Sequence, residues 1–153
     1  MSLHSPGHSP GLSPDHLASL LPHWQEGVDE FARGRYWQVH ECWERGWTSL
    51  PVLLRRHIQS QIQGASVLHL LERGRFDAAR RLARRALFWR SEVSSGGGLS
   101  PQTVRPEIDG LFEWLESWLA AGPELNEQEV SEWVARAKTQ LAARVVGAVP
   151  KGP

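Results

Sequence analysis

The sequence contains a single cysteine, Cys42, so no intramolecular disulfide can form. A secreted scaffold held together by disulfides is therefore excluded, and we expect a reducing, cytoplasmic location. The first residues lack the basic and apolar segments of a signal peptide. No run approaches the roughly 18 apolar residues that a membrane helix needs. We therefore expect a soluble protein with no membrane partner.

An excess of charge of either sign is also absent, since 17 basic side chains balance 17 acidic ones among 153 residues. The total charge thus favours neither nucleic acid nor a membrane as partner. The length fits one domain, which we place at residues 16–148. Residues 1–15 are rich in Ser, Pro and Gly, which predicts a disordered arm. Residues 149–153 are predicted to be a flexible tail.

Alternation of apolar and polar residues with the period of a β-strand is missing as well, whereas helical spacing recurs from Asp15 onward. We predict an all-α fold, a compact bundle of about six helices with no strands. The predicted helices run from about Asp15 or Pro22 to Ala32, then over about 35–47, 52–73, 76–90, 106–121 and 127–146. Pro106 suits a first helical turn, and Asn126 with Glu129 predicts a capping box.

An internal echo connects two glycines that lie 40 residues apart. Gly34 and Gly74 each follow a predicted helix, and each opens a Gly-Arg-aromatic sequence that starts the next one. This period is typical of helical-hairpin repeats. We therefore predict two packed αα-hairpins, with the last two helices as a third layer.

The stretch HECWE, residues 40–44, resembles the H-E-x-x-H zinc-protease motif but ends in a glutamate. At about 100° per residue, His40 shares one apolar face with Tyr36, Trp43 and Trp47. Glu44 falls on the margin of that face, Glu41 points about 100° away from His40, and Cys42 lies on the far side. The metalloprotease and cysteine-nucleophile interpretations are therefore not favoured.

A polar cluster is expected between the second and third helices. If these helices pack antiparallel, His40 lies level with Gln59 to Gln63, and His69 lies about 10–15 Å further along. The candidate cluster comprises His40, Glu41, Glu44, Gln59, Gln63 and His69.

Two segments carry a resemblance to a known family. FARGRYWQVHECWERGW, residues 31–47, and QSQIQGASVLHLLERG, residues 59–74, resemble the bacterial family named domain of unknown function 309. The resemblance covers about residues 25–90. Val39, Ser60 and Gln61 depart from the family pattern, but none of them removes a member of the polar cluster. The resemblance implies a helical fold and a common polar constellation, without an established chemistry.

Two functions remain open for the cluster. In the first, the protein is a binding or interaction module, and a buried His40 is satisfied by Glu44 and the glutamines. In the alternative, the cluster lines a small-molecule or metal-binding pocket with hydrolase-like acid–base chemistry. We predict no cofactor. A divalent metal would use His40 and Glu44, with His69 or Glu41 as the third ligand, because glutamine is a poor zinc ligand.

Charge segregation provides a second alternative. Seven arginines lie between positions 73 and 90, and eight acidic residues with no basic residue lie between 107 and 132. The two regions can face each other within the fold or across a homodimer, which exposed Trp89 and Trp118 would also favour. Otherwise, the arginine-rich helix can bind nucleic acid. The candidate residues are Arg80, Arg81, Arg84 and Arg85.

Overall fold

The computed structural model describes residues 14–47, 50–95 and 105–146. Its elements are α1 (Pro14–Ala32), α2 (Tyr36–Trp47), α3 (Val52–Glu72), α4 (Phe76–Ser95), β1 (Arg105–Asp109), α5 (Leu111–Ala121), α6 (Glu127–Gln140) and β2 (Ala142–Val146). The predicted six-helix fold is confirmed. The predicted tail, and residues 1–13 of the predicted arm, lie outside the described residues.

The sequence repeat at Gly34 and Gly74 corresponds to two turns with the same conformation. Both glycines have a φ of +73°, in the left-handed region that favours glycine. In the first turn, the N–H of Arg35 donates to the Glu30 carbonyl at 2.9 Å. In the second, the N–H of Arg75 donates to the Leu70 carbonyl, also at 2.9 Å. Each turn thus ends a helix in a Schellman motif and starts its antiparallel partner.

Helix α3 lies at the centre of the molecule, because it contacts α2, α4, α5, α6 and β1. Its buried residues therefore extend around most of its circumference rather than along one stripe. They are Leu54, His57, Ile58, Ser60, Gln61, Ile62, Gly64, Ala65, Val67, Leu68 and Leu71. Burial on several sides makes α3 the element against which both hairpins and the C-terminal region are positioned.

The two strands were not predicted from the sequence. β1 pairs antiparallel with β2, with Arg105 opposite Val146 and Asp109 opposite Ala142. The predicted helical start at Pro106 is therefore wrong, and the last helix ends at Gln140 instead of 146. Pro106 lacks a backbone N–H to donate, which suits a strand at the edge of a sheet. Gly110, with a φ of +76°, separates β1 from α5.

Buried side chains of α3 satisfy the edge of β1 that faces away from β2. His57 Nε2 lies 2.8 Å from the Pro106 carbonyl oxygen. Gln61 Oε1 accepts a hydrogen bond from the Ile108 N–H at 2.9 Å. Both side chains are buried, and an unpaired buried backbone group costs about 1–3 kcal/mol. The buried polar residues of α3 thus hold the strand pair against the bundle.

The C-terminal helices contain the predicted capping box, but a tryptophan that was expected to be exposed is buried in them. Asn126 and Glu129 form the predicted capping box, with the Glu129 N–H donating to Asn126 Oδ1 at 2.8 Å. Trp118 was expected to be exposed, but it is buried and stacks on Trp114. Trp89 is half-buried under the Arg56 guanidinium. These two tryptophans therefore do not form an exposed aromatic surface.

Among the described residues, no helix combines the length and the apolar character that crossing a bilayer requires.

A close approach between α1 and α2 sets the position of the second helix. A Cβ atom added at Gly27 would lie 2.1 Å from Nε1 and 2.4 Å from Cδ1 of Trp43. The Trp43 ring is fully buried, and its Nε1 donates to the Trp24 carbonyl at 3.1 Å. Since the indole is rigid and fixed by this hydrogen bond, only glycine fits at position 27.

We therefore expect Gly27→Ala to lower the free energy of unfolding by about 1–3 kcal/mol through overpacking, despite the higher helix propensity of alanine. Gly46→Ala is the matched control, because the atom nearest to its Cβ would be Cδ2 of the partly exposed His23, at 3.2 Å. The control should leave stability unchanged within about 0.5 kcal/mol or raise it slightly. Urea unfolding followed by circular dichroism measures both, and equal losses would contradict this account of the helix pair.

Candidate functional site

A half-open pocket of about 370 Å³ lies between α2 and α3 and extends to the first turns of α4. We call it the α2–α3 pocket. Its lining residues are Trp37, His40, Glu44, Trp47, Gln59, Ile62, Gln63, Ser66, His69, Leu70 and Leu82. The wall thus combines indole rings and aliphatic side chains with a few hydrogen-bonding groups.

Five of the six members of the predicted polar cluster line this pocket. His40 and Glu44 come from α2, and Gln59, Gln63 and His69 come from α3. The sixth member, Glu41, is half-exposed and does not line it. The helical spacing explains this division, because Glu41 points about 100° away from His40 around the α2 axis.

His40 and Glu44 form a hydrogen-bonded pair one helical turn apart. His40 Nε2 lies 2.9 Å from Glu44 Oε2, whereas its Nδ1 lies 3.9 Å from Glu41 Oε1, beyond hydrogen-bonding distance. Nδ1 is buried without a hydrogen-bond partner. The His40 side chain is 26% exposed and that of Glu44 is 47% exposed. The pair therefore presents its carboxylate, rather than its second ring nitrogen, to solvent.

The sequence predicted that His40 lies at the centre of the buried face of α2. In the structure it does not. That face comprises Tyr36, Val39, Cys42, Trp43 and Gly46. It is broad because α2 packs against both α1 and α3, and it is centred near Val39. His40 lies about 100° from that centre, on the margin that borders the pocket.

Trp37 connects the two histidines of the pocket. Its ring stacks on His40, with centroids 4.7 Å apart and planes 18° apart. It also contacts His69, with centroids 5.6 Å apart and planes inclined by 39°. The contact brings His69 into the same site as His40. Trp37 is 45% exposed and lines the pocket, so part of its indole remains accessible.

The environment of His69 disfavours its protonated form. Burial lowers the pKa of His69, the nearby Arg73 lowers it further, and Glu72 acts in the opposite direction. Because the ordinary value is 6.5, the His69 ring is neutral at pH 7. A neutral imidazole can donate one hydrogen bond and accept another.

Two other ionisable groups of α2 are directed away from the pocket. Cys42 is buried, and its Sγ lies 3.8 Å from Glu26 Oε2 of α1. Burial raises the pKa of the Cys42 thiol, which keeps the thiolate nucleophile scarce. Burial and, secondarily, Glu72 raise the pKa of Tyr36 to about 12.

The donor set of the pocket does not match a metal centre. Within the ranges that the structure describes, no three His, Cys, Asp or Glu side chains are grouped closely enough to hold a metal ion. Glu44 is hydrogen-bonded to His40, and His69 is packed on Trp37. The remaining polar lining groups belong to glutamine and serine, which are poor ligands for zinc.

The arginines of α4 fall into two groups. Arg80 forms an ion pair with Asp77, and the Arg90 guanidinium lies 5.0 Å from the Phe112 ring centroid. Arg81, Arg84 and Arg85 are exposed, and no ion pair among the described residues involves them. The expected neutralisation of this helix by the acidic segment 107–132 is therefore not found for these three side chains.

Six lining residues of the pocket were not among the candidates from the sequence: Trp37, Trp47, Ile62, Ser66, Leu70 and Leu82. Trp37 was not a candidate, although it lies three residues before His40 and close to the direction of Glu44 around the helix. Ser66 and Leu82 were also missed, and Leu82 comes from α4, which closes one side of the pocket. Helical phase could have identified Trp37, whereas the position of α4 depends on tertiary packing.

Residues 24–82 match a protein family described as Domain of unknown function (DUF309). This confirms the family resemblance that residues 31–47 and 59–74 indicated. The match runs from α1 into α4 and includes every lining residue of the α2–α3 pocket. No curated protein and no solved structure matches the chain.

The lowered pKa of His69 predicts how stability depends on pH. The unfolded chain takes up a proton near pH 6.5, whereas folded His69 does so only at lower pH. The contribution of neutral His69 to the free energy of unfolding is therefore fully present above pH 6.5. It is lost as the pH falls through the pKa of His69 in the folded protein. We expect His69→Gln to reduce the loss of unfolding free energy between pH 7 and pH 5. Urea unfolding at each pH measures this loss. An NMR titration that gave His69 a pKa at or above 6.5 would contradict the prediction.

Proposed function

We propose that the DUF309 segment, residues 24–82, is a small-molecule-binding module and that the α2–α3 pocket is its binding site. The main support for this proposal is the pocket itself, which has a volume of about 370 Å³, an apolar wall and a few convergent polar groups. Ligand sites in proteins are typically clefts of roughly 300–1,000 Å³ with this composition. The volume suits a small organic molecule about the size of one or two rings.

The polar groups of the pocket support the binding of a ligand that forms hydrogen bonds. Glu44 offers carboxylate oxygens, neutral His69 offers a donor and an acceptor, and Gln59 adds an amide. Gln63 Oε1 and Trp47 Nε1 are buried without partners. Buried polar atoms of this kind are usually satisfied by protein, water or ligand. A ligand that rearranged the Gln63 or Trp47 side chain would therefore gain a hydrogen bond.

The exposure of the Trp37 ring also favours a ligand. Trp37, Val52 and Phe88 are the large hydrophobic side chains of the described ranges that remain exposed. Of these, only Trp37 lines the α2–α3 pocket. A bound ring would cover it, and aromatic burial is a large source of binding free energy.

We propose that His40 takes part in binding rather than acting as a general acid or base, because of the direction in which the His40–Glu44 pair points. General acid–base catalysis requires a titratable atom within hydrogen-bonding reach of the substrate. His40 Nε2 is occupied by Glu44, and Nδ1 is buried. Glu44 therefore orients the imidazole, and Trp37 stacks against it, which makes His40 part of the pocket wall.

Nucleic-acid binding along α4 is the second candidate, favoured by one observation. The unpaired and exposed Arg81, Arg84 and Arg85 share their helix face with Phe88, which is 55% exposed. Guanidinium groups neutralise phosphates, and an aromatic ring can stack on a base of a single strand. The surface is limited to one helix face, so we expect weak binding that depends on salt.

The pocket proposal predicts that small aromatic fragments bind between α2 and α3. In ¹H–¹⁵N NMR spectra, a set of fragments at about 1 mM should shift the indole signals of Trp37 and Trp47 and the backbone signals around Gln63. Ser66→Phe should fill the pocket and abolish these shifts. Ser117→Phe is the matched control, since Ser117 is exposed on α5, and it should change nothing. Fragments that shifted signals equally in both variants would exclude this pocket as their site.

The second candidate predicts a salt-dependent affinity for single-stranded RNA or DNA. Fluorescence anisotropy of a labelled 20-mer at about 50 mM salt should show binding, which Arg81→Gln/Arg84→Gln/Arg85→Gln weakens at least about tenfold. The triple variant should also lower the slope of log K against log salt by about 2, three contacts at roughly 0.7 each.

Arg33→Gln/Arg75→Gln/Arg136→Gln is the control, because it removes the same charge from exposed arginines elsewhere. It should weaken the affinity much less. Absence of binding by the wild-type protein at about 50 mM salt, or an equal loss in both triple variants, would rule out α4 as the binding face.

A further inference from the structure

The lining of the α2–α3 pocket carries charge of one sign only. Glu44 is its single Asp, Glu, Lys or Arg side chain. The other polar lining residues are two histidines, two glutamines and a serine. His69 adds no positive charge at pH 7, because burial lowers its pKa. An occupant of the pocket therefore meets a carboxylate without meeting a lysine or an arginine.

No cationic side chain of the described residues neutralises Glu44. The ion pairs found there connect Glu44 to His40 alone. The neighbouring Arg45 is directed to Glu26 of α1, at 3.5 Å. Arg73 lies at an adjacent cleft rather than in the pocket, and Glu72 lines that cleft with it. Glu44 thus retains a charge that a ligand can pair with.

The Glu44 carboxylate also has free hydrogen-bonding capacity. His40 Nε2 contacts Oε2, and a carboxylate accepts about four hydrogen bonds in all. The Glu44 side chain is 47% exposed, so its remaining lone pairs can be reached from the pocket. A planar amidine or guanidine can use both oxygens at once, and an ammonium can use one of them.

Two indole rings complete the electrostatic environment. Trp37 and Trp47 line the same pocket as Glu44. The face of an indole carries negative electrostatic potential and attracts cations, the more strongly where water is displaced. The Glu44 carboxylate therefore favours positive charge and disfavours negative charge, and an indole face that a ligand covers has the same preference.

We propose that the α2–α3 pocket selects organic cations, in particular a protonated amine or amidine attached to an apolar ring or chain. The cationic group pairs with Glu44, and the apolar part lies against Trp37, Ile62 and Leu70. This inference rests on the proposed function of the pocket and adds the chemical class of its ligand.

Three probes of nearly equal shape test the charge preference: benzamidine is a cation, benzamide is neutral and benzoate is an anion. NMR titration at pH 7.5 should give a Kd for benzamidine about fivefold or more below that of benzamide, as expected for one partly exposed charge pair. Benzoate should bind more weakly than benzamide. Raising the salt to about 0.5 M should reduce the difference between benzamidine and benzamide.

Glu44→Gln keeps the shape of residue 44 and its ability to accept from His40, but removes the charge. In this variant, the Kd values of benzamidine and benzamide should agree within about twofold. Glu41→Gln is the matched control, since it removes a carboxylate from the same helix outside the pocket. Glu41→Gln should retain the wild-type preference for benzamidine over benzamide.

The outcomes separate the two proposals. If none of the three probes shifts the signals of the pocket, the binding function itself fails. If benzamide or benzoate binds the wild-type pocket as tightly as benzamidine does, the function stands and the cation preference is refuted. An equal loss of preference in Glu41→Gln and Glu44→Gln would also refute it, because the effect would then come from overall charge.

Discussion

The rest of the structure depends on how α3 satisfies the backbone of β1. His57 and Gln61 reach the Pro106 carbonyl and the Ile108 N–H from the interior of the bundle. These two side chains lie one turn apart and face the same direction. Once that face of α3 is committed to the strand, the opposite face, with Gln59, Gln63 and Ser66, borders the pocket. One helix thus serves as a structural anchor on one side and as a pocket wall on the other.

The helices could be predicted because each is defined by local information. The spacing of apolar residues, the glycines at positions 34 and 74, and the capping box at Asn126 all act within a few residues along the chain. The strands could not be predicted in this way. β1 and β2 are five residues each, and their pairing joins segments separated by two helices. The groups of β1 that pair with His57 and Gln61 of α3 are backbone groups, which the sequence does not distinguish from any others.

Five polar residues of the candidate site could be predicted from the sequence, but its other lining residues and the orientation of His40 could not. The i, i+4 spacing of His40 and Glu44, and the level of Gln59 and Gln63, follow from helix geometry and antiparallel packing. The depth of His40 does not, because it depends on how many neighbours α2 has. Packing against α1 as well as α3 moves the buried centre to Val39 and leaves His40 on the margin. His40, which the sequence placed in the core, is therefore part of the accessible wall of the pocket.

The repeated glycine turns have a consequence for the order in which the protein folds. Each turn is closed by hydrogen bonds between residues no more than five apart, whereas β1 and β2 meet only after α5 and α6 have been placed between them. Local contacts form faster than distant ones, and N-terminal segments leave the ribosome first. The two hairpins that build the pocket can therefore assemble before the C-terminal third docks. Until it does, His57 and Gln61 lack the partners that β1 provides.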